Sequence, residues 1–190
     1  DRTTGRILLL RPDATAQIAR TVAMGMMGAQ LPLRVSYRTS VFRYEPEHAG
    51  RDREIFQVGA EYIGADDAGA DSEMLILMIE CLKQVGLRSF KISLGHVGYF
   101  KGLLIRAGLS QSGQKRAEQA AARKDLPRLQ EILSGERVAS RYATSILEAP
   151  ELCGQAEVLA RGRTLAKGDR SALQALARLT MVYETLCKVG

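Results

Sequence analysis

Hydrophobic and polar residues follow two different periods in the first part of the chain. In the stretch QIARTVAMGMM, Ile18 and Val22 recur at helical spacing, which predicts an amphipathic helix. Two later stretches, LRVSYRTSVFRYE (33–45) and REIFQVGAEYIG (53–64), are rich in β-branched and aromatic residues and predict strands. Because the charged loop PEHAGRD separates them, we expect an antiparallel hairpin with a long connection.

Two further segments also carry strand patterns. The run ILLL (7–10) predicts a buried strand that leads into RPDAT, and FKISLG (90–95) alternates apolar and polar positions as a strand does. Between them, GADDAGAD is typical of a turn. We expect Asp71 or Ser72 to cap the helix that follows, and Gly86 to end it.

The strand pattern ends near His96, and the residues beyond it predict helices only. One of these helices, DLPRLQEIL, has Asp125 as its predicted N-cap and Pro127 in its first turn. The predicted fold class is therefore α+β, with a mostly antiparallel sheet flanked by helices and a helical C-terminal part.

Three domains or parts follow from this change of pattern. We expect an α+β core at 1–95, a helical insertion at 96–170, and a helix at 171–190 that returns to the core. About four strands are predicted, which is few for a sheet flanked by helices. We therefore expect further strands beyond the C-terminus. Because the chain begins at Asp1 without an initiating Met, we also expect a missing upstream segment, so that the chain would be incomplete at both ends.

The composition is that of a globular protein, since 46% of the 190 residues are apolar and 25% are charged. The longest apolar run, MLILMI, is far shorter than the roughly 18 residues of a membrane span, so no membrane association is expected. The net charge of +6 is dispersed among acidic residues, which gives little support to nucleic-acid binding. Cys81, Cys153 and Cys187 are widely separated and predict buried free thiols in a reducing cytoplasm rather than metal ligands.

The second predicted strand carries an unusual set of residues on one face. Side chains alternate along a strand, so Gln57, Gly59 and Glu61 share one face, while residues 56, 58, 60 and 62 share a face suited to packing. Gln57 and Glu61 are about 13 Å apart by the rise of a strand, with only a glycine between them. A ligand of amino-acid size lying over Gly59 would contact both, because the carboxylate would bind an ammonium or imidazolium and the amide would bind a polar group.

Three further residues are candidates for the same site. Arg43, on the partner strand, would bind a carboxylate or phosphate if its side chain faces the same side. Asp13 and Thr15 lie where a strand is predicted to end and a helix to begin, and they would add a carboxylate and a hydroxyl. Taken alone, Glu61 is more often a solvated surface residue and Arg43 a member of a surface ion pair, so the spacing leaves both interpretations open. No catalytic triad, metal-ligand cluster or dinucleotide fingerprint is recognisable, and we expect no catalytic residue, no metal and no cofactor.

Two stretches resemble a known family. LRPDATAQIAR and VFRYEPEHAGRDREIFQVGAEYIG are similar, in the same order, to the catalytic core of the histidyl-tRNA synthetases, and the second resembles motif 2 of the class II aminoacyl-tRNA synthetases. The resemblance is close over the first half of the chain and loose over the helical remainder. It implies the class II fold, and it places the family's histidine contacts on Asp13, Thr15, Arg43, Gln57 and Glu61.

The chain departs from the synthetases at two places. They usually have Arg-Pro-Glu-Gly-Thr where this chain has RPDAT, and a histidine where Phe56 precedes Gln57. DRTTGRILLLRPDATAQIAR, LGHVGYFKGLL and RKDLPRLQEIL resemble instead the regulatory subunits of ATP phosphoribosyltransferase, which are catalytically inactive paralogs of the synthetases. That resemblance implies a non-catalytic subunit, required for transferase activity and for histidine feedback in the first step of histidine biosynthesis.

The same resemblance implies the partners. It predicts a short-form catalytic subunit of ATP phosphoribosyltransferase, a homodimer within a hetero-oligomer, L-histidine as a ligand and a cytoplasmic location, and it gives no reason to expect tRNA. Two alternatives stay open. One is an active histidyl-tRNA synthetase that uses ATP, magnesium and tRNA; the other is an RNA-binding module that retained only the fold, and it rests on charge alone.

Overall fold

The computed structural model describes residues 3–5, 7, 9–25, 30–44 and 52–189 of the chain. The chain divides into two compact units, Asp1–Asp66 and Asp67–Gly190, and each is described by itself. Most of the loop that connects the two predicted hairpin strands, residues 45–51, lies outside the described residues. The predicted division at 95 and 170 stays a prediction.

The first unit contains one helix and an antiparallel hairpin. The helix α1 spans Thr15–Gly25, and strands β1 and β2 span Leu33–Phe42 and Glu54–Ile63. The two strands pair antiparallel over their whole length, with Tyr37 opposite Gly59. The predicted hairpin is therefore confirmed, and it is the element that positions the candidate site.

The face of β2 that was predicted to suit packing, which carries Phe56 and Val58, is largely open. Phe56 is 59% exposed and Val58 is 71% exposed. Arginine side chains cover part of this face, since the Arg38 guanidinium lies 5.0 Å from the centre of the Phe56 ring. In the first unit, the described residues that line the opposite face are the better buried ones, including Val41 at 0% exposure.

The two other strand predictions, for 7–10 and 90–95, are wrong in the described residues. Ile7 is 88% exposed and Leu10 is 72% exposed, and neither segment forms a ladder. A strand needs a neighbour that accepts and donates its backbone hydrogen bonds, and alternation of side chains does not supply one. The first segment nevertheless reaches the edge of β1, where Phe42 N donates to Arg11 O at 2.8 Å.

The second unit is helical, as the pattern predicts. Three fully buried side chains, Leu104, Leu129 and Ile146, lie in its core. Its described helices are α2 (Ala68–Gln84), α3 (Val97–Arg106), α4 (Gln111–Ala122), α5 (Leu126–Gly135), α6 (Ser140–Glu148), α7 (Ala156–Leu165) and α8 (Arg170–Val189), with a 3-10 turn at Ala149–Glu151.

The helix starts were predicted with mixed success. Asp125 caps α5, because its Oδ1 accepts from Arg128 N at 3.0 Å, as predicted. The predicted turn GADDAGAD instead contains the first residues of α2, and Asp67 caps that helix by accepting from Ala70 N at 2.9 Å. Asp71 is not the cap because it lies within the helix, where its carboxylate pairs with Arg178 at 2.6 Å.

The three cysteines are free but not buried. Cys81, Cys153 and Cys187 are all exposed, so the prediction of buried thiols is wrong. Apolar neighbours in sequence did not imply burial, because helical faces turn neighbours in different directions. Within the residues that the structure describes, no helix has the length and apolar character needed to cross a membrane.

Candidate functional site

The hairpin register places the predicted row of β2 residues on a shared surface with β1. Residues directly opposite one another in an antiparallel pair point to the same face. Gln57 lies opposite Thr39, and Glu61 lies opposite Val35. The face that carries the candidate residues therefore combines side chains from both strands.

Thr15, Asp13 and Glu61 are brought together by hydrogen bonds. The Thr15 hydroxyl donates to Glu61 Oε1 at 2.7 Å, across 46 positions of sequence. The Thr15 backbone N–H donates to Asp13 Oδ1 at 3.1 Å, which closes the turn at the start of α1. Two carboxylates from distant parts of the sequence thus share one threonine as their donor.

Arg43 completes the charge distribution at the end of β1. Its backbone N–H donates to Arg53 O at 3.0 Å, so the pairing of the strands continues past Phe42 and places Arg43 on the Gln57 face. Its guanidinium is exposed and forms no ion pair with a described carboxylate. Arg43 was a candidate on the condition that its side chain lies on the same face as Gln57, and this condition is met.

The pKa of Asp13 is lowered from its ordinary value. The main cause is the hydrogen bond from the Thr15 backbone, with smaller contributions from the Ala14 backbone, the Thr15 hydroxyl and the positive charge of Arg43, while burial opposes them. The hydrogen bonds and the positive charge favour the ionised form. Asp13 is therefore a carboxylate at neutral pH.

Tyr37 occupies the space that the sequence left empty. A Cβ built on Gly59 would lie 2.6 Å from Tyr37 Cε1, so the ring rests directly on the glycine. The prediction that no side chain lies between Gln57 and Glu61 is therefore wrong. The reason is the cross-strand register, because an aromatic residue opposite a strand glycine folds over the missing side chain.

Gln57 is held by the same ring. Its Nε2 donates to the Tyr37 hydroxyl at 3.0 Å. Its Oε1 is buried and has no hydrogen-bond partner among the described residues. An unpaired buried carbonyl oxygen costs about 1–3 kcal/mol, so this atom is an acceptor for which a ligand N–H would be a suitable donor.

The arrangement suits a small zwitterion. Glu61 has one oxygen bound by Thr15, and its other oxygen has no donor among the described residues. Carboxylates of this kind bind an ammonium or imidazolium, the guanidinium of Arg43 binds a carboxylate, and the Tyr37 ring offers a flat face to a cation. All five predicted residues lie on or beside one face of the hairpin.

Sequence reasoning missed Tyr37. The signal that would have found it is the register, since pairing Arg43 with Arg53 places Tyr37 opposite Gly59. It also missed the contact between Arg11 Nη1 and Thr39 Oγ1 at 2.7 Å, which ties the segment before α1 to β1.

The chain resembles known proteins over its whole length. Residues 1–190 match the family model described as histidyl-tRNA synthetase. A relative from Halothermothrix orenii is 40% identical over 98% of this chain and 44% of its own length. A relative from Geobacter metallireducens is 39% identical over 98% of this chain and 43% of its own length. Both are named ATP phosphoribosyltransferase regulatory subunit, and the chain spans less than half of either.

A solved structure agrees with these relatives. A crystal structure described as an ATP phosphoribosyltransferase regulatory subunit/histidyl-tRNA synthetase, from Bacillus halodurans, is 31% identical and superposes with a TM-score of 0.83. The match covers 94% of this chain and 46% of that one, and it confirms the α+β, class II synthetase-like fold. The chain belongs to the histidyl-tRNA synthetase family, and the relatives that it matches over nearly its whole length carry the name ATP phosphoribosyltransferase regulatory subunit.

Proposed function

We propose that this chain is part of a non-catalytic regulatory subunit of ATP phosphoribosyltransferase, and that the hairpin site binds L-histidine. The names of the relatives support the regulatory role. So do the two departures from the synthetase pattern, at RPDAT and at Phe56. The subunit would support activity and histidine feedback in the first step of histidine biosynthesis.

The observation that carries the histidine site is the pairing state of its polar atoms. Gln57 Oε1 is buried without a partner among the described residues, and the carboxylates of Asp13 and Glu61 are held by neutral donors from Thr15 rather than by cations. A zwitterion with an imidazole supplies an ammonium and ring N–H groups to these acceptors. Its carboxylate meets the guanidinium of Arg43. The proposed ligand thus complements both the acceptors and the cation of the site.

The partners follow from the regulatory role. The subunit would form a homodimer within a hetero-oligomer that contains short-form catalytic subunits, in the cytoplasm, and it would not need tRNA. Histidine bound at the hairpin would report the end product of the pathway to the catalytic subunit. An active histidyl-tRNA synthetase is the alternative, and binding and activity measurements separate the two.

Binding is tested first, with Glu61→Gln and the matched control Glu54→Gln. The amide oxygen of the substituted side chain can still accept from the Thr15 hydroxyl, so the fold is preserved while the charge is lost. Removing one charged contact costs about 1.5–3 kcal/mol, so we expect the histidine affinity to fall roughly tenfold to a hundredfold. Glu54 is exposed and lies on the opposite face of β2, and its variant should bind as the wild type does.

Isothermal titration calorimetry with L-histidine measures both affinities. Equal histidine affinities for the two variants would show that the hairpin is not the binding site. The regulatory role is tested separately, by mixing the protein with a short-form catalytic subunit and assaying phosphoribosyl transfer with and without histidine. Activity that appears only in the mixture supports the proposal, whereas robust histidine-dependent exchange of pyrophosphate into ATP by the protein alone would establish the synthetase instead.

A further inference from the structure

The helical unit contains a second pocket, formed by α3, α6, α7 and the turn after α7. Its volume is about 200 Å³. Eight residues line it, and three of them, Arg106, Arg141 and Lys167, are cations while none is acidic. All of its lining residues are in the helical unit, so this pocket is not part of the hairpin site where histidine is proposed to bind.

The cations of this pocket have no acidic partner within the described part of the chain. Among the described residues, no carboxylate forms an ion pair with Arg106, Arg141 or Lys167. In the described part of the chain, two acidic residues nearby in sequence form no ion pair with these cations. Glu148 pairs with Arg161 at 2.8 Å, and the buried Asp169 accepts from Ala172 N at the start of α8.

Two of the three cations are held in place. The Arg106 guanidinium donates from Nη1 to Lys167 O at 2.6 Å and lies 5.1 Å from the centre of the Tyr142 ring. The Arg141 guanidinium lies 4.6 Å from the same ring. A guanidinium has five N–H groups, so both arginines keep donors for a ligand after these contacts. Keeping two positively charged guanidinium groups beside one ring costs electrostatic free energy, and a bound anion would offset that cost.

The backbone around the pocket adds both signs of partial charge. The positive end of α6 carries Arg141 and Tyr142, and this helix begins at Ser140 without a side-chain cap. The C-terminal end of α7 contributes carbonyl groups of opposite sign, and the Lys167 carbonyl that follows it accepts from Arg106. A helix end corresponds to about half a charge, so three full cations outweigh it.

The hydroxyl groups of the pocket differ in what they offer. Thr164 Oγ1 already donates to Ala160 O at 3.2 Å. Ser145 has no side-chain hydrogen bond within the described residues and can donate to an oxygen anion. Three cations, a free hydroxyl and an aromatic ring in a small pocket form a suitable site for a tetrahedral oxyanion of high charge.

We propose that the pocket between α3, α6 and α7 binds the phosphate or pyrophosphate group of a small molecule. Arg141 and Lys167 bind its oxygens directly. Arg106, which is held by the Lys167 carbonyl and Tyr142, lies on the third side of the bound group. The pocket volume favours a small phosphate group over a polynucleotide, which would need basic residues along an extended path.

The test is a titration of inorganic pyrophosphate into the wild-type chain and three variants at low ionic strength, followed by calorimetry. Arg141→Gln and Lys167→Gln each remove one proposed contact and leave the Arg106 contacts intact. Arg123→Gln removes the same charge from the exposed end of α4, outside the pocket, and serves as the control. Circular dichroism confirms that each variant is folded.

We expect saturable pyrophosphate binding, weakened about tenfold or more by Arg141→Gln and by Lys167→Gln and unchanged by Arg123→Gln. Equal affinities of all three variants would mean that the net charge of the chain, and not the pocket, attracts the anion. Absence of saturation would also overturn the proposal. A single-stranded RNA oligonucleotide is titrated in parallel. If it displaces pyrophosphate and binds more tightly per phosphate, the proposal that the phosphate group belongs to a small molecule is wrong.

Discussion

A single methyl group added at Gly102 tests the packing of α3 against α8. Helix propensity alone favours the change, because glycine in a helix interior is about 1 kcal/mol less favourable than alanine. The structure indicates the opposite outcome. A Cβ at Gly102 would lie 2.8 Å from Ala172 N and 3.0 Å from Ala172 Cβ.

The magnitude follows from what has to move. Carbon atoms pack favourably at about 3.5–4.0 Å, so α8 would have to withdraw by roughly 0.7 Å at this point. The atom in the way is backbone, and Ala172 is 0% exposed, so no flexible side chain can yield. Overpacking of this kind costs about 1–3 kcal/mol, and a backbone obstruction belongs at the upper end. After the propensity gain, we expect a net loss of about 2 kcal/mol in the free energy of unfolding.

Thermal unfolding of the Gly102→Ala chain, followed by far-ultraviolet circular dichroism, measures this loss. For a helical unit of this size, about 2 kcal/mol corresponds to a midpoint roughly 8 °C lower. Gly135→Ala is the matched control, because Gly135 ends α5 and a Cβ there meets no atom within 4 Å. It should raise the stability by about 0.5–1 kcal/mol. A Gly102→Ala chain as stable as the wild type would refute the close approach of the two helices.

Two further changes test the electrostatics of the helical unit and the floor of the hairpin site. Glu136 accepts from the Ser110 backbone and hydroxyl, and these are the main causes that lower its pKa. Its stabilisation is therefore present above the unfolded-state pKa and is lost as pH falls through the folded pKa. Glu136→Gln should lower the urea midpoint at about pH 7, and the difference from the wild type should shrink steadily as the pH is lowered into the acid range; a difference that does not depend on pH would contradict this. Gly59→Ala should displace the Tyr37 ring, so that Gln57 Nε2 loses its acceptor and histidine binding weakens about tenfold. If the Tyr37 resonances in the nuclear magnetic resonance spectrum do not move and the affinity is unchanged, the ring is not the floor of the site.

The hairpin was predictable because its two strands are adjacent in sequence and supply each other's hydrogen bonds. Segments 7–10 and 90–95 carry strand patterns too, yet neither forms a strand in the described residues. Their partners cannot be read from local pattern, because a strand depends on a backbone elsewhere in the chain. Caps follow the same rule. Asp125 was found because a proline marks the first turn after it, whereas the acidic run before α2 offered several caps of similar quality.

The sequence predicted which candidate residues share a face of the hairpin, but it did not predict the Tyr37 ring that covers Gly59. Parity along β2 is a property of one strand and gave Gln57 and Glu61 directly. Tyr37 depends on the register between two strands, which is set by the loop and by the pairing that it permits. A shift of one residue would have moved Tyr37 to the other face. The sequence therefore predicted the charges of the site and missed the ring that supports them.

The way in which the two carboxylates are held suits the reversible binding of an amino acid that we propose for this site. Thr15 gives its backbone N–H to Asp13 and its hydroxyl to Glu61, so both carboxylates are oriented without being neutralised. Had arginine or lysine oriented them, a ligand ammonium would have to displace an ion pair before it could bind. Because Asp13 has a lowered pKa, this carboxylate stays ionised well below neutral pH. Free histidine has an imidazole pKa of about 6.5, and carboxylates beside the ring favour its protonated form. The charge of the ligand imidazole, rather than the charge of Asp13, would therefore govern how affinity changes near and above that pH.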